Sequence, residues 1–92
     1  MIKEIIKFGA PWCQGCVSAD TALEQLGAMR PEIIISKINI EEDETMAEKY
    51  KVRGLPTLVL IGLDGKEIGR HTGKITIQEL IQIVDGLSLI HI

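Results

Sequence analysis

The only two cysteines of the chain stand three positions apart, in Ala10-Pro11-Trp12-Cys13-Gln14-Gly15-Cys16, at the join between an apolar, β-prone stretch and a helical pattern. A segment that is strand on one side and helix on the other, with Gly9 and Pro11 marking the change, fixes the start of an α/β unit. The same spacing carries chemistry. Two thiols three positions apart close a small disulfide ring if the first opens a helix and the second lies one turn on. At a helix start the unpaired amides and the positive end of the macrodipole favour thiolate over thiol, so the sequence predicts an acidic Cys13. The thiolate is the attacking species in thiol-disulfide exchange.

The bland alternative makes the same pair half of a structural zinc site, and that reading needs two more ligands. His71 and His91 are the only histidines, and they are not at a knuckle spacing. Redox chemistry is therefore the favoured reading. A metal or iron-sulfur cluster held between two such pairs in a dimer stands as the alternative.

Ninety-two residues predict one domain, residues 1–92, with a single packed core. Phe8, Trp12 and Tyr50 are the only rings, so Ile, Leu and Val must fill that core, which suits a buried sheet covered by helices. A net charge of -3, dispersed Lys and Arg, and no glycine-rich phosphate loop give no case for nucleic acid. Charges interrupt every apolar stretch from Met1 to Phe8, unlike a secretory signal. The longest apolar run, near Leu55 to Leu63, is too short to span a bilayer. These features predict a soluble, cytoplasmic protein without a membrane partner, where ordinary thiols stay reduced.

Along the chain, Ile2 to Phe8 reads as a first strand. Cys16, Ala19, Leu23, Leu26 and Met29 recur at three and four, predicting a helix from Cys13 to about Met29. Ile33 to Ile40 reads as a second strand, its opening so continuously apolar that both faces should be covered. Glu41, Glu42, Asp43 and Glu44 suit the start of a helix that runs to about Tyr50. Strands at Leu58 to Ile61 and Glu67 to Arg70 bracket the hairpin signal Gly62-Leu63-Asp64-Gly65. Thr76 and Glu79 form a capping box ahead of Ile77, Leu80, Ile81 and Val84, with Gly86 as the expected stop. The apolar tail Leu87 to Ile92 should then pack on the core or dock a partner. The order predicts an α/β fold, βαβαββα, with a four-stranded mixed sheet of order 2-1-3-4. Its first and last helices should share one face.

Pro11-Trp12-Cys13 with Cys16, Lys37-Ile38-Asn39, Ala47 with Tyr50 and Val52, Gly54-Leu55-Pro56-Thr57, and Gly73 together resemble the thioredoxin family over almost the whole chain. The resemblance implies a minimal thioredoxin fold and a thiol-disulfide oxidoreductase that reduces protein disulfides. It implies that Cys13 attacks and Cys16 resolves. Pro56 would be cis and lie beside the cysteines, leaving the backbone before it free to pair with an extended substrate. Trp12, Leu55, Pro56 and Gly73 would bind that substrate. Lys7 stands where the family carries a buried aspartate, and Lys37 matches a family lysine near the same site, so both should modulate the thiols. Alternation places Lys7 on the side of Ile5, at least partly covered.

Gln14-Gly15 is neither the Gly-Pro of thioredoxins nor the Pro-Tyr of glutaredoxins, and Gly69-Arg70-His71-Thr72-Gly73 lacks the glutaredoxin pattern that holds glutathione. The expected partners are disulfide-containing proteins and a thioredoxin-reductase-type electron donor. The chain should be a monomer with no cofactor beyond its reversible disulfide. A binding module on the same core, or a glutaredoxin-like enzyme, is the alternative.

Overall fold

The computed structural model describes residues 2–90, with side chains as far as Leu87. The elements are β1 (Ile2–Gly9), α1 (Cys16–Met29), β2 (Ile34–Asn39), α2 (Glu44–Lys49), β3 (Thr57–Gly62), β4 (Glu67–Thr72) and α3 (Ile77–Ile90). They form one four-stranded sheet of order β2-β1-β3-β4. β1 runs parallel to β2 and antiparallel to β3, whose other edge takes β4. This is the mixed sheet and the order expected from the sequence.

Alternation along the two central strands sorts the core into two faces. Ile5, Leu58 and Leu60 point to the face covered by α1 and α3, where they meet Ala19, Leu23, Leu26, Leu80 and Val84. Ile6, Phe8, Val59 and Ile61 point the other way, toward Met46, Tyr50 and Val52 of the smaller α2 side. Arg30 at the end of α1 is paired with Asp85 of α3 at 2.7 Å, which ties the two helices that share a face.

Local signals set several boundaries. Asp43 caps α2 by accepting from the Met46 amide at 3.2 Å. Between β3 and β4, Gly65 takes a positive φ of 83°, and the Asp64 carboxylate accepts from the Lys66 amide at 3.1 Å. At the start of α3 the capping box closes as predicted. The Thr76 hydroxyl accepts from the Glu79 amide at 3.2 Å, and the Glu79 carboxylate accepts from the Thr76 amide at 3.3 Å.

Three expectations are corrected. Strand β2 is not covered on both faces: it is an edge, and Ile34 is 52 % exposed. Its neighbours divide instead, Ile33 and Ile35 joining the larger face and Ile38 and Ile40 the smaller. Gly86 does not stop the last helix, which runs on to Ile90, because Ile83, Val84 and Leu87 keep the helical stripe packed across it. Leu87 thereby packs on the core, while the end of the apolar tail beyond residue 90 lies outside the described residues. The first helix begins at Cys16, three residues later than expected, and Met29 at its far end is 53 % exposed.

Candidate active site

The cysteines sit where β1 gives way to α1, at the carboxyl end of a central strand. After Gly9 the chain turns, the Cys13 amide bonding the Ala10 carbonyl at 3.1 Å and the Cys16 amide bonding the Cys13 carbonyl at 3.4 Å. Cys13 therefore lies ahead of the helix and Cys16 is its first residue, a correction to the view that Cys13 opens it. Gly15 occupies the N-cap with no side-chain cap, so nothing competes with the sulfurs for the free amides. Cys13 and Cys16 are joined in a disulfide. Cys13 is half-buried, whereas Cys16 is 7 % exposed.

Cys13 opens onto a groove of about 390 Å³ lined by Trp12, Gln14, Gly15, Leu55, Pro56, Gly73 and Lys74. Two glycines shape it by close approach and by backbone angle. A β-carbon at Gly15 would stand 2.9 Å from Pro56 Cδ and 3.2 Å from Lys74 Cγ, so only glycine lets the Pro56 loop close against the cysteine turn. Gly73 has a φ of 104° and donates its amide to the Pro56 carbonyl at 2.8 Å. The Leu55–Pro56 peptide bond is cis. Thr57, buried at the start of β3, donates its hydroxyl to the Gly54 carbonyl at 2.5 Å and holds the loop from the other side. Trp12 is 63 % exposed on the rim of the groove.

The structure separates Lys7 and Lys37 from this groove. They line a second cavity of about 340 Å³ on the far side of the cysteine turn, with Gly9, Asn39 and Glu42. Lys7 is 8 % exposed and its amine donates to Asp20 Oδ1 at 2.8 Å, while Lys37 Nζ is 3.5 Å from the same oxygen. Lys7 thus ends on a carboxylate and not in open water. A β-carbon on Gly9 would lie 2.8 Å from Cys16 Sγ and 3.2 Å from Lys7 Nζ, so sulfur and amine are no farther apart than those two distances combined.

Asp20 is the site residue that sequence reasoning missed. Its signal was present: a carboxylate four residues after Cys16 shares a helix face with it, opposite a lysine that alternation turns inward beside Ile5. His71 spends Nε2 on the Lys74 carbonyl at 3.1 Å, and His91 lies outside the described residues. Among the described residues no group of three or more His, Cys, Asp or Glu side chains is placed to hold a metal ion.

A βαβαββα sheet with a disulfide where its first strand meets its first helix, facing a proline loop, defines a disulfide oxidoreductase of the thioredoxin fold. The thioredoxin family model matches residues 2–86, and the chain belongs to that family. It is 42 % identical over 69 residues to a thioredoxin of Chlamydia pneumoniae, covering 75 % of this chain and 67 % of that one. A thioredoxin of Chlamydia caviae is 37 % identical over 84 residues, covering 91 % and 81 %. The X-ray structure of Fasciola hepatica thioredoxin superposes with a TM-score of 0.81 at 31 % identity, over 90 % of this chain and 78 % of that one. Thiol-disulfide oxidoreductase chemistry at a cysteine pair is the activity of this enzyme.

Proposed function

We propose that the enzyme reduces disulfides in extended protein segments, with Cys13 as the attacking thiolate and Cys16 as the resolving thiol. The observation that carries this is the unequal setting of the two sulfurs, Cys13 on the groove and Cys16 buried behind it. In the reduced enzyme the Cys13 thiolate attacks one sulfur of the substrate disulfide and expels the other as a thiolate. Cys16 then loses its proton and attacks Cys13, closing the Cys13–Cys16 bond and releasing the second substrate sulfur. Two electrons pass to the substrate.

Trp12, Leu55, Pro56 and Gly73 bind the substrate, the cis-proline loop offering the backbone before Pro56 to an incoming strand. Lys7 and Lys37 place positive charge behind the pair and stabilise thiolate in the reduced form. A stabilised dithiol is the stronger oxidant, so the potential is less negative than that of an ordinary thioredoxin, by about 30 mV for each tenfold in the equilibrium. A thioredoxin-reductase-type flavoenzyme recharges the disulfide. The enzyme works in the cytoplasm as a monomer, within electron transport that keeps thiols reduced, and needs no bound cofactor.

Trapping tests the assignment. Cys16→Ser should accumulate mixed disulfides with protein substrates and Cys13→Ser none, and Cys13 should alkylate faster than Cys16 at about pH 6. Equal alkylation rates, or no turnover of a protein disulfide with dithiothreitol alongside a stoichiometric bound metal, would favour the binding module instead.

A further inference from the structure

The least expected group near the sulfurs is a buried ammonium. Lys7 reaches up from β1, 8 % exposed, and its amine and Cys16 Sγ close on the same point beside Gly9. A buried lysine without a partner is costly and would turn toward the nearest water, here the cavity it lines with Lys37 and Glu42. It is held back by one contact, the 2.8 Å hydrogen bond to Asp20. Asp20 lies one helical turn beyond Cys16, on the same face of α1.

We propose that Asp20 is a positioning residue for the resolving step, holding the Lys7 ammonium beside Cys16 Sγ so that the resolving thiol is ready to attack as thiolate. The proposal rests on Cys16 being the resolving thiol. The charged groups facing that sulfur are Lys7 from β1, Asp20 from α1 itself, and Lys37 from β2 through Asp20, with Glu42 at the mouth of the cavity. Two ammonium groups share the Asp20 carboxylate and Glu42 balances the count, so the cluster is neutral overall and its effect on the sulfur comes from the nearness of the Lys7 ammonium across Gly9. An opposite charge at this range favours the ionised form of a thiol by about tenfold or more. In the step itself the Cys16 S–H bond breaks and its proton passes to water in the cavity. The thiolate then forms the Cys13–Cys16 bond, and the Cys13–substrate bond breaks with the substrate sulfur taking the electron pair.

A purely electrostatic Asp20 and a positioning Asp20 predict opposite behaviour on substitution. Alanine removes the acceptor, so Lys7 turns away and resolution slows. Asparagine keeps an acceptor for the ammonium while dropping the opposing charge, so resolution quickens.

The test uses the reduced full chain and an excess of a nitroaromatic disulfide whose released thiolate is coloured. The first release reports attack by Cys13 and the second reports resolution by Cys16. At about pH 7, Asp20→Ala and Lys7→Met should each slow the second release about tenfold, and the double variant should be no slower than either alone, the sign of one shared contact. Asp20→Asn should speed it. The first release, made by Cys13 from the groove side, should change less than the second in every variant, and its occurrence shows that each is folded. If Lys7→Met fails to fold, the two Asp20 variants decide the matter, since Asp20 is only half-buried on a helix. Asp20→Ala and Asp20→Asn moving the second release in the same direction, or neither moving it, overturns the proposal. A parent chain that gives only one release overturns the assignment of Cys16, and this proposal with it.

Discussion

Arg70 shows how much one side chain on an edge strand can do. Its guanidinium grips Glu67 on the same strand at 2.6 and 2.8 Å and donates to the Tyr50 carbonyl at 2.7 Å, fastening β4 to the end of α2. The hydrogen bond from Arg70 holds the Glu67 carboxyl below its ordinary range, outweighing the opposing effect of burial. A carboxyl lowered on folding contributes stability that is present above its unfolded value and lost as pH falls through its folded value. Because the pair is exposed, that contribution is less than about 1 kcal/mol. Arg70→Ala should therefore lower the melting temperature by a few degrees at about pH 7 and by less at an acid pH below the folded value of Glu67, where the carboxyl is protonated in both chains. Thermal melts at the two pH values check this. An equal loss at both would assign the whole effect to the Tyr50 carbonyl.

Among the elements, α3 separates what was legible in the sequence from what was not. Its start was legible because Thr76 and Glu79 act on each other, and Thr76→Ala should cost about 1 kcal/mol in denaturant unfolding. Its end was not. Glycine stops a helix only where the chain needs a left-handed residue or loses its packing, and neither holds at Gly86. A β-carbon there meets no atom within 4 Å, and its φ is not positive. Gly86→Ala should therefore stabilise the fold by up to about 1 kcal/mol, read as a higher midpoint at unchanged slope, and a loss of stability would mean that the helix does end there.

The same contrast runs through the other elements. Hairpin and caps followed from residues acting on near neighbours, and strand order from the right-handed crossover of the first βαβ unit. The exposure of Ile34 on β2 and the pairing of Asp20 with Lys7 depend on which strand ends beside which helix, and apolar periodicity alone does not carry that. Helix α1 starts later than the expected Cys13 because Cys13 to Cys16 spends its hydrogen bonds on turns, the Cys13 amide on Ala10 and the Cys16 amide on Cys13.

For the molecule as a whole, charge is distributed against its own sign at the functional end. The chain carries 13 acidic and 10 basic residues, yet no acidic side chain lines the groove beside Cys13, and Lys74 is its only charged member. The stem of Lys74 lies along Gly15, so its ammonium stands at the rim of the groove beside the Pro56 loop, exposed and without an ion pair among the described residues. If substrates bind in this groove as proposed, a segment with carboxylates next to its cysteine should meet this cation and a lysine-flanked one should be repelled. Exposed pairs of this kind contribute about 0.2–1 kcal/mol, which corresponds to a preference of about 1.4- to fivefold in kcat/KM for the acidic peptide disulfide at low salt. Raising the salt should compress the preference, since a contact at the rim is screened within about 10 Å at 0.1 M ionic strength. Lys74→Glu should reverse its order without changing the melting temperature by more than a degree or two, because the side chain is exposed. A preference that survives both high salt and Lys74→Glu would place the selecting charge elsewhere on the surface.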